Sequence, residues 1–123
     1  MKTSLFPPNA ILFIFDISNE SVQIPDYIDG RLISANETCI SVGTQAEIDG
    51  EVVVSLLDIN LALDTNKFQQ EFVGSILTPG SKLAIVTAEM DIVLQKDIQR
   101  DSTEVSIWVD DFRCPSAVIV TVS

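Results

Sequence analysis

The run Ile-Trp-Val-Asp-Asp-Phe at residues 107–112 gathers the side chains best suited to chemistry in this sequence. It contains the only tryptophan, Trp108, two positions before the acidic pair Asp110 and Asp111. Carboxylates beside an aromatic ring can serve as an acid–base pair, as oxygen ligands of a cation, or as a surface that binds another protein. The rest of the sequence decides between these three chemistries.

Catalysis is disfavoured by the residue types that the chain lacks. Its 123 residues include no histidine, which removes Ser-His-Asp and Cys-His catalysis and histidine-ligated zinc. Neither a GxGxxG nor a GxxxxGK[ST] run occurs, so both nucleotide-binding fingerprints are missing. A glycosidase-like carboxylate pair needs two particular acids, and no spacing selects two from the 18 present. The sequence therefore predicts a protein that is not an enzyme and has no cofactor.

Calcium binding has some support because carboxylates stand in or near loops at residues 26–30, 47–51 and 108–111. Several loop carboxylates at one end of a sandwich could supply the oxygen ligands that calcium requires. The EF-hand spacing with its twelfth-position glutamate does not occur, however, and Asp-Gly is first of all a turn dipeptide. We therefore predict turns at these places and no metal site.

Charge indicates the kind of partner. The chain has 18 acidic and 7 basic residues and a formal charge of −11, which repels nucleic acid and anionic membranes but attracts cations. The longest apolar run, residues 10–15, is far shorter than the ~20 residues of a membrane helix, and two prolines interrupt the start of the chain. We expect a cytoplasmic protein with a cationic protein partner, no nucleic acid or membrane ligand, and buried free thiols at Cys39 and Cys114.

The fold class follows from short β-type segments that are separated by turn residues. This pattern predicts an all-β protein, a single-domain antiparallel β-sandwich of about 8–9 strands over residues 1–123. Residues 59–65 contain leucines too closely spaced to alternate, which predicts one short helical turn there. Asp49-Gly50 and Pro79-Gly80 each predict a hairpin, of type I′ and type II respectively. A bulge is expected near Gly74.

Strand alternation at residues 102–110 predicts where the tryptophan points. Val105, Ile107 and Val109 form one apolar set, which should face the core. Trp108 then lies on the opposite, polar face and is at least partly exposed. Since tryptophan is enriched at binding hot spots, we predict a protein-binding surface made of the following residues: Glu104, Trp108, Asp110, Asp111 and Phe112.

The function that these observations favour is a small acidic, non-catalytic protein-binding module. Its most concrete form is a bacterial immunity protein or inhibitor that neutralises a basic partner such as a nuclease toxin. Two alternatives stay open: a structural or assembly subunit of a phage or scaffold, and a calcium-assisted lipid or sugar binder. The sequence does not determine the oligomeric state or the identity of the partner.

Overall fold

The computed structural model describes residues 1–59 and 67–123, and these form two five-stranded sheets with two short 3-10 turns. Nearly all of the regular structure is β, which confirms the predicted all-β class. The strands are β1 (Lys2–Leu5), β2 (Ile11–Asp16), β3 (Ile33–Ala35), β4 (Cys39–Gly43), β5 (Val52–Asp58), β6 (Gln69–Leu77), β7 (Lys82–Thr87), β8 (Ile92–Asp97), β9 (Ser102–Val109) and β10 (Ala117–Val122). The 3-10 turns are Pro8–Ala10 and Glu47–Asp49.

The first sheet has the order β1-β5-β10-β9-β6, and the second has the order β3-β4-β2-β7-β8. All neighbouring strands are antiparallel except β5 and β10, which run parallel. The described residues thus contain ten strands where about 8–9 were predicted. The additional strand is β1, whose four residues carry a single aliphatic side chain and so show no strong apolar alternation.

The core lies between the two sheets and is built from alternating apolar residues of their facing sides. Leu12 and Ile14 of β2, Val54 of β5 and Val120 of β10 are all fully buried there. A second apolar cluster lies on the outer side of the second sheet, where Phe13 packs with other apolar side chains that include Val22 from the connection between β2 and β3. That connection therefore covers part of the outer surface of the sheet.

The predicted hairpin at Asp49-Gly50 is wrong. β4 lies in the second sheet and β5 in the first, so residues 44–51 cross between sheets instead of reversing within one. Gly50 does have the positive φ, at 124°, that the dipeptide suggested. Asp49, however, ends the 3-10 turn and has no positive φ, so the predicted type I′ turn does not form. Sheets that pack about 10 Å apart are easily bridged by a connection of this length.

The predictions around β6 also need correction. β6 and β7 belong to different sheets, and the positive φ of this turn is at Ser81, not at Gly80, which excludes the predicted type II hairpin. The bulge falls between Gln70 and Phe72. Gly74 has a packing role instead, because a Cβ there would lie 2.7 Å from the Phe72 ring.

The helical turn predicted near residues 59–65 falls almost wholly outside the described residues. Within residues 1–59 and 67–123, no helix has the length and apolar character needed to cross a membrane.

Candidate functional site

The strand phase predicted for Trp108 is confirmed. Val105, Ile107 and Val109 are fully buried in the core, whereas Trp108 is half-buried on the outer side of the first sheet. Its neighbours across the sheet are Ile119 of β10 and Gln70 of β6. The indole Nε1 is shielded from solvent and finds no hydrogen-bond partner in the part of the chain that the structure describes. Trp108 therefore presents part of its ring to solvent while its polar atom is covered.

The predicted site residues separate into two groups. Glu104 is exposed near the start of β9, where its backbone N–H donates to the Ser123 carbonyl oxygen at 3.0 Å. Asp110, Asp111 and Phe112 follow the other end of β9, ~20 Å away for an extended strand. The structure thus brings these last three together and leaves Glu104 apart.

The two aspartates organise the connection between β9 and β10, which we name the 110–116 loop. Asp110 accepts hydrogen bonds from the backbone N–H groups of Ser116 and Ala117, each at 3.0 Å, and from the Ser116 hydroxyl. Asp111 accepts one from the Arg113 N–H at 2.8 Å. These hydrogen bonds hold the loop in shape. Because both side chains are also exposed, they add negative charge to its surface.

Phe112 lies at the rim of a groove. Its ring is 52% exposed, and the guanidinium carbon of Arg113 lies 5.4 Å from its centroid. The groove has a volume of about 540 Å³ and is also lined by Tyr27, Arg31 and Glu71. Aromatic rings therefore border a concave surface that carries charges of both signs.

Sequence reasoning missed the most exposed apolar side chain among the described residues, Ile48, which is 95% exposed. It occupies the 3-10 turn Glu47–Asp49 within the crossing between β4 and β5, which we name the 44–51 loop. This loop adjoins the 110–116 loop, since the Gln45 N–H donates to the Pro115 carbonyl oxygen at 2.9 Å. The sequence did contain a signal for an exposed apolar residue, because Ile48 stands between two acids next to the Asp49-Gly50 dipeptide. The segment was interpreted only as a hairpin turn.

The two cysteines are free thiols, as expected, but only Cys39 is buried; Cys114 is exposed on the 110–116 loop. Burial raises the pKa of the Cys39 thiol from 9.0 to about 12, against a smaller lowering by its hydrogen bond with the Ile14 backbone. Such a thiol stays protonated at neutral pH. Among the described residues, no group of three or more Cys, Asp or Glu side chains is arranged to hold a metal ion.

The fold defines a two-sheet β-sandwich that gathers exposed acidic and apolar side chains on loops at one end. Neither a family model nor a curated protein sequence matches the chain. Among solved structures, the chain is similar to the crystal structure of ComJ from Bacillus subtilis, described as an inhibitor of the DNA degrading activity of NucA. The TM-score is 0.72 at 13% identity, over 99% of this chain and 93% of ComJ. At this identity the likeness shows a shared fold.

Proposed function

We propose that this protein is an inhibitor that binds a cationic nuclease and prevents it from degrading DNA. The observation that carries the proposal is the formal charge of −11 on a chain whose fold resembles that of a nuclease inhibitor. A nuclease that binds DNA presents positive charge to the phosphates, and a strongly acidic protein is attracted to the same surface. In this proposal the protein is non-catalytic and acts in the bacterial cytoplasm.

The binding surface that we propose is centred on the 110–116 loop. Phe112 supplies an exposed aromatic contact, and Asp110 and Asp111 supply charge on a loop that their own hydrogen bonds hold in shape. A loop ordered before binding loses less entropy when the complex forms. Glu104 lies farther away and contributes to the long-range field, while the exposed part of Trp108 borders the surface.

The experiment measures DNA degradation by Bacillus subtilis NucA, and by any nuclease retained on the immobilised protein, with increasing amounts of the wild-type chain. We expect inhibition that weakens as salt is raised, because screening reduces the attraction of exposed charges. Phe112→Ala should weaken inhibition at least tenfold, as loss of a central contact does.

Leu77→Ala is the control, because Leu77 is 45% exposed and pairs with Ser102 at the start of β9, the end of that strand opposite the 110–116 loop. Its inhibition should stay within twofold of wild type. If no nuclease is inhibited, the proposed function is wrong. If Phe112→Ala and Leu77→Ala behave alike, the binding surface is misplaced.

A further inference from the structure

We infer that the Ile48 tip of the 44–51 loop enters the DNA-binding cleft of the nuclease, so that inhibition is competitive with DNA. This inference rests on the proposed function and adds to it the place and mode of binding. Its starting point is the 95% exposure of Ile48. An apolar side chain held out in solvent contributes almost nothing to the stability of the free protein, whereas its burial in a partner removes apolar surface from water.

Hydrogen bonds at the base of the 44–51 loop and within its 3-10 turn hold the tip in a fixed shape. The Gln45 side-chain amide donates to the Glu51 carbonyl oxygen at 2.9 Å, which closes the base of the 44–51 loop. The Asp49 N–H donates to the Ala46 carbonyl oxygen at 2.9 Å within the 3-10 turn. The Gln45 N–H also bonds to the neighbouring 110–116 loop. These hydrogen bonds fix the shape of the tip, so that it needs little ordering on binding.

The charges around Ile48 indicate the occupant that it fits. Glu47, Asp49 and Glu51 are exposed on the same loop, and no lysine or arginine occurs between Arg31 and Lys67 in the sequence. A nucleic acid strand alternates charged phosphates with uncharged sugars and bases. The acid–isoleucine–acid order of the tip presents a similar alternation, which a cleft built for DNA can accept.

The test compares two substitutions that each remove an exposed isoleucine and add one negative charge. Ile48→Asp changes the tip. Ile24→Asp is the control, because Ile24 is 44% exposed and its neighbour Gln23 is hydrogen-bonded to Thr38. Thr38 precedes β4, whereas the 44–51 loop follows the other end of that strand. Thermal unfolding first checks that both variants fold. With NucA, and with any nuclease retained on the immobilised wild type, we expect Ile48→Asp to weaken inhibition at least tenfold and Ile24→Asp less than twofold.

The mode of inhibition gives a second readout. Wild-type protein should raise the apparent KM for DNA and leave kcat unchanged, as a competitor for the substrate cleft does. Inhibition that lowers kcat without changing KM, or an Ile48→Asp variant as potent as wild type, would overturn the inference while the inhibitor function stands. Failure of the wild type to inhibit any of these nucleases would remove both.

A double substitution that removes two negative charges distinguishes the contribution of the acidic residues from that of Ile48. Glu47→Gln with Asp49→Asn should slow association, with the largest effect at low ionic strength. Glu20→Gln with Asp97→Asn makes the same change in net charge at exposed positions outside the 44–51 loop. Equal effects of the two pairs would show that only the overall charge matters, and the tip would lose its role.

Discussion

The carboxylate of Asp16 accepts a hydrogen bond from the backbone N–H of Gly80, a residue 64 positions later in the chain. Asp16 is fully buried and also accepts from the N–H groups of Ser18, at 2.9 Å, and Lys82, at 3.3 Å. This one side chain therefore fastens the end of β2 to the crossing from β6 to β7, where the chain passes from one sheet to the other.

The first prediction is that Asp16→Asn destabilises the fold by ~2–3 kcal/mol, because the asparagine NH2 group would replace one of the two accepting oxygens and face a backbone N–H donor inside the fold. Urea unfolding measures the change. Asp97→Asn is the control, since Asp97 is exposed on the edge strand β8 and should change stability little. Similar losses for the two variants would argue that Asp16 does not fasten this crossing.

The second prediction concerns Gly80 itself. A Cβ at this position would overlap the Ser18 Cβ and lie 2.9 Å from the Ser18 carbonyl carbon, so the backbone would have to move. Gly80→Ala should cost ~1–3 kcal/mol. Because the same displacement disturbs the bond to Asp16, the effects of the two substitutions should deviate from additivity by ~0.5 kcal/mol or more in a double-mutant cycle. Additive losses would show that the two residues act independently.

The third prediction uses the half-buried position of Trp108. Its fluorescence should be quenched by acrylamide only in part, and Trp108→Ala should cost less than the ~3–5 kcal/mol typical of a fully buried tryptophan. Ile107→Ala, one residue earlier and fully buried, should cost ~2–5 kcal/mol. Complete protection of Trp108 from the quencher would contradict the observed exposure of its ring.

The fourth prediction is a dependence of stability on alkaline pH. Below pH 9 the Cys39 thiol is protonated in both the folded and the unfolded chain, so it adds no pH dependence. Between its unfolded pKa of 9.0 and its folded pKa of about 12, only the unfolded chain loses the proton, and unfolding becomes easier as pH rises. This contribution amounts to at most ~1.4 kcal/mol per pH unit.

Denaturant unfolding between pH 8 and 11 tests this effect. Cys39→Ala should lower stability at neutral pH by leaving a cavity, but its decline with rising pH should be shallower than that of the wild type. Cys114→Ala serves as the comparison, since Cys114 is exposed. Parallel pH profiles for wild type and Cys39→Ala would contradict the raised pKa.

Several features were determined by the sequence alone. Alternation assigned Val105, Ile107 and Val109 to the core and Trp108 to the outer face, because successive side chains of any strand point to opposite sides. The absence of histidine and the excess of acid restricted the chemistry without reference to any fold. The strand inference succeeds because it depends only on neighbours one or two positions apart.

Only the tertiary structure decided how the strands meet. The Asp49-Gly50 and Pro79-Gly80 dipeptides are typical of hairpin turns in sequence, yet each lies in a crossing between sheets, because the choice of partner strand depends on packing across the whole core. The same packing placed the Ile48 tip beside the 110–116 loop. Pairings of this kind join residues distant in the chain, such as Asp16 and Gly80, and no local pattern records them.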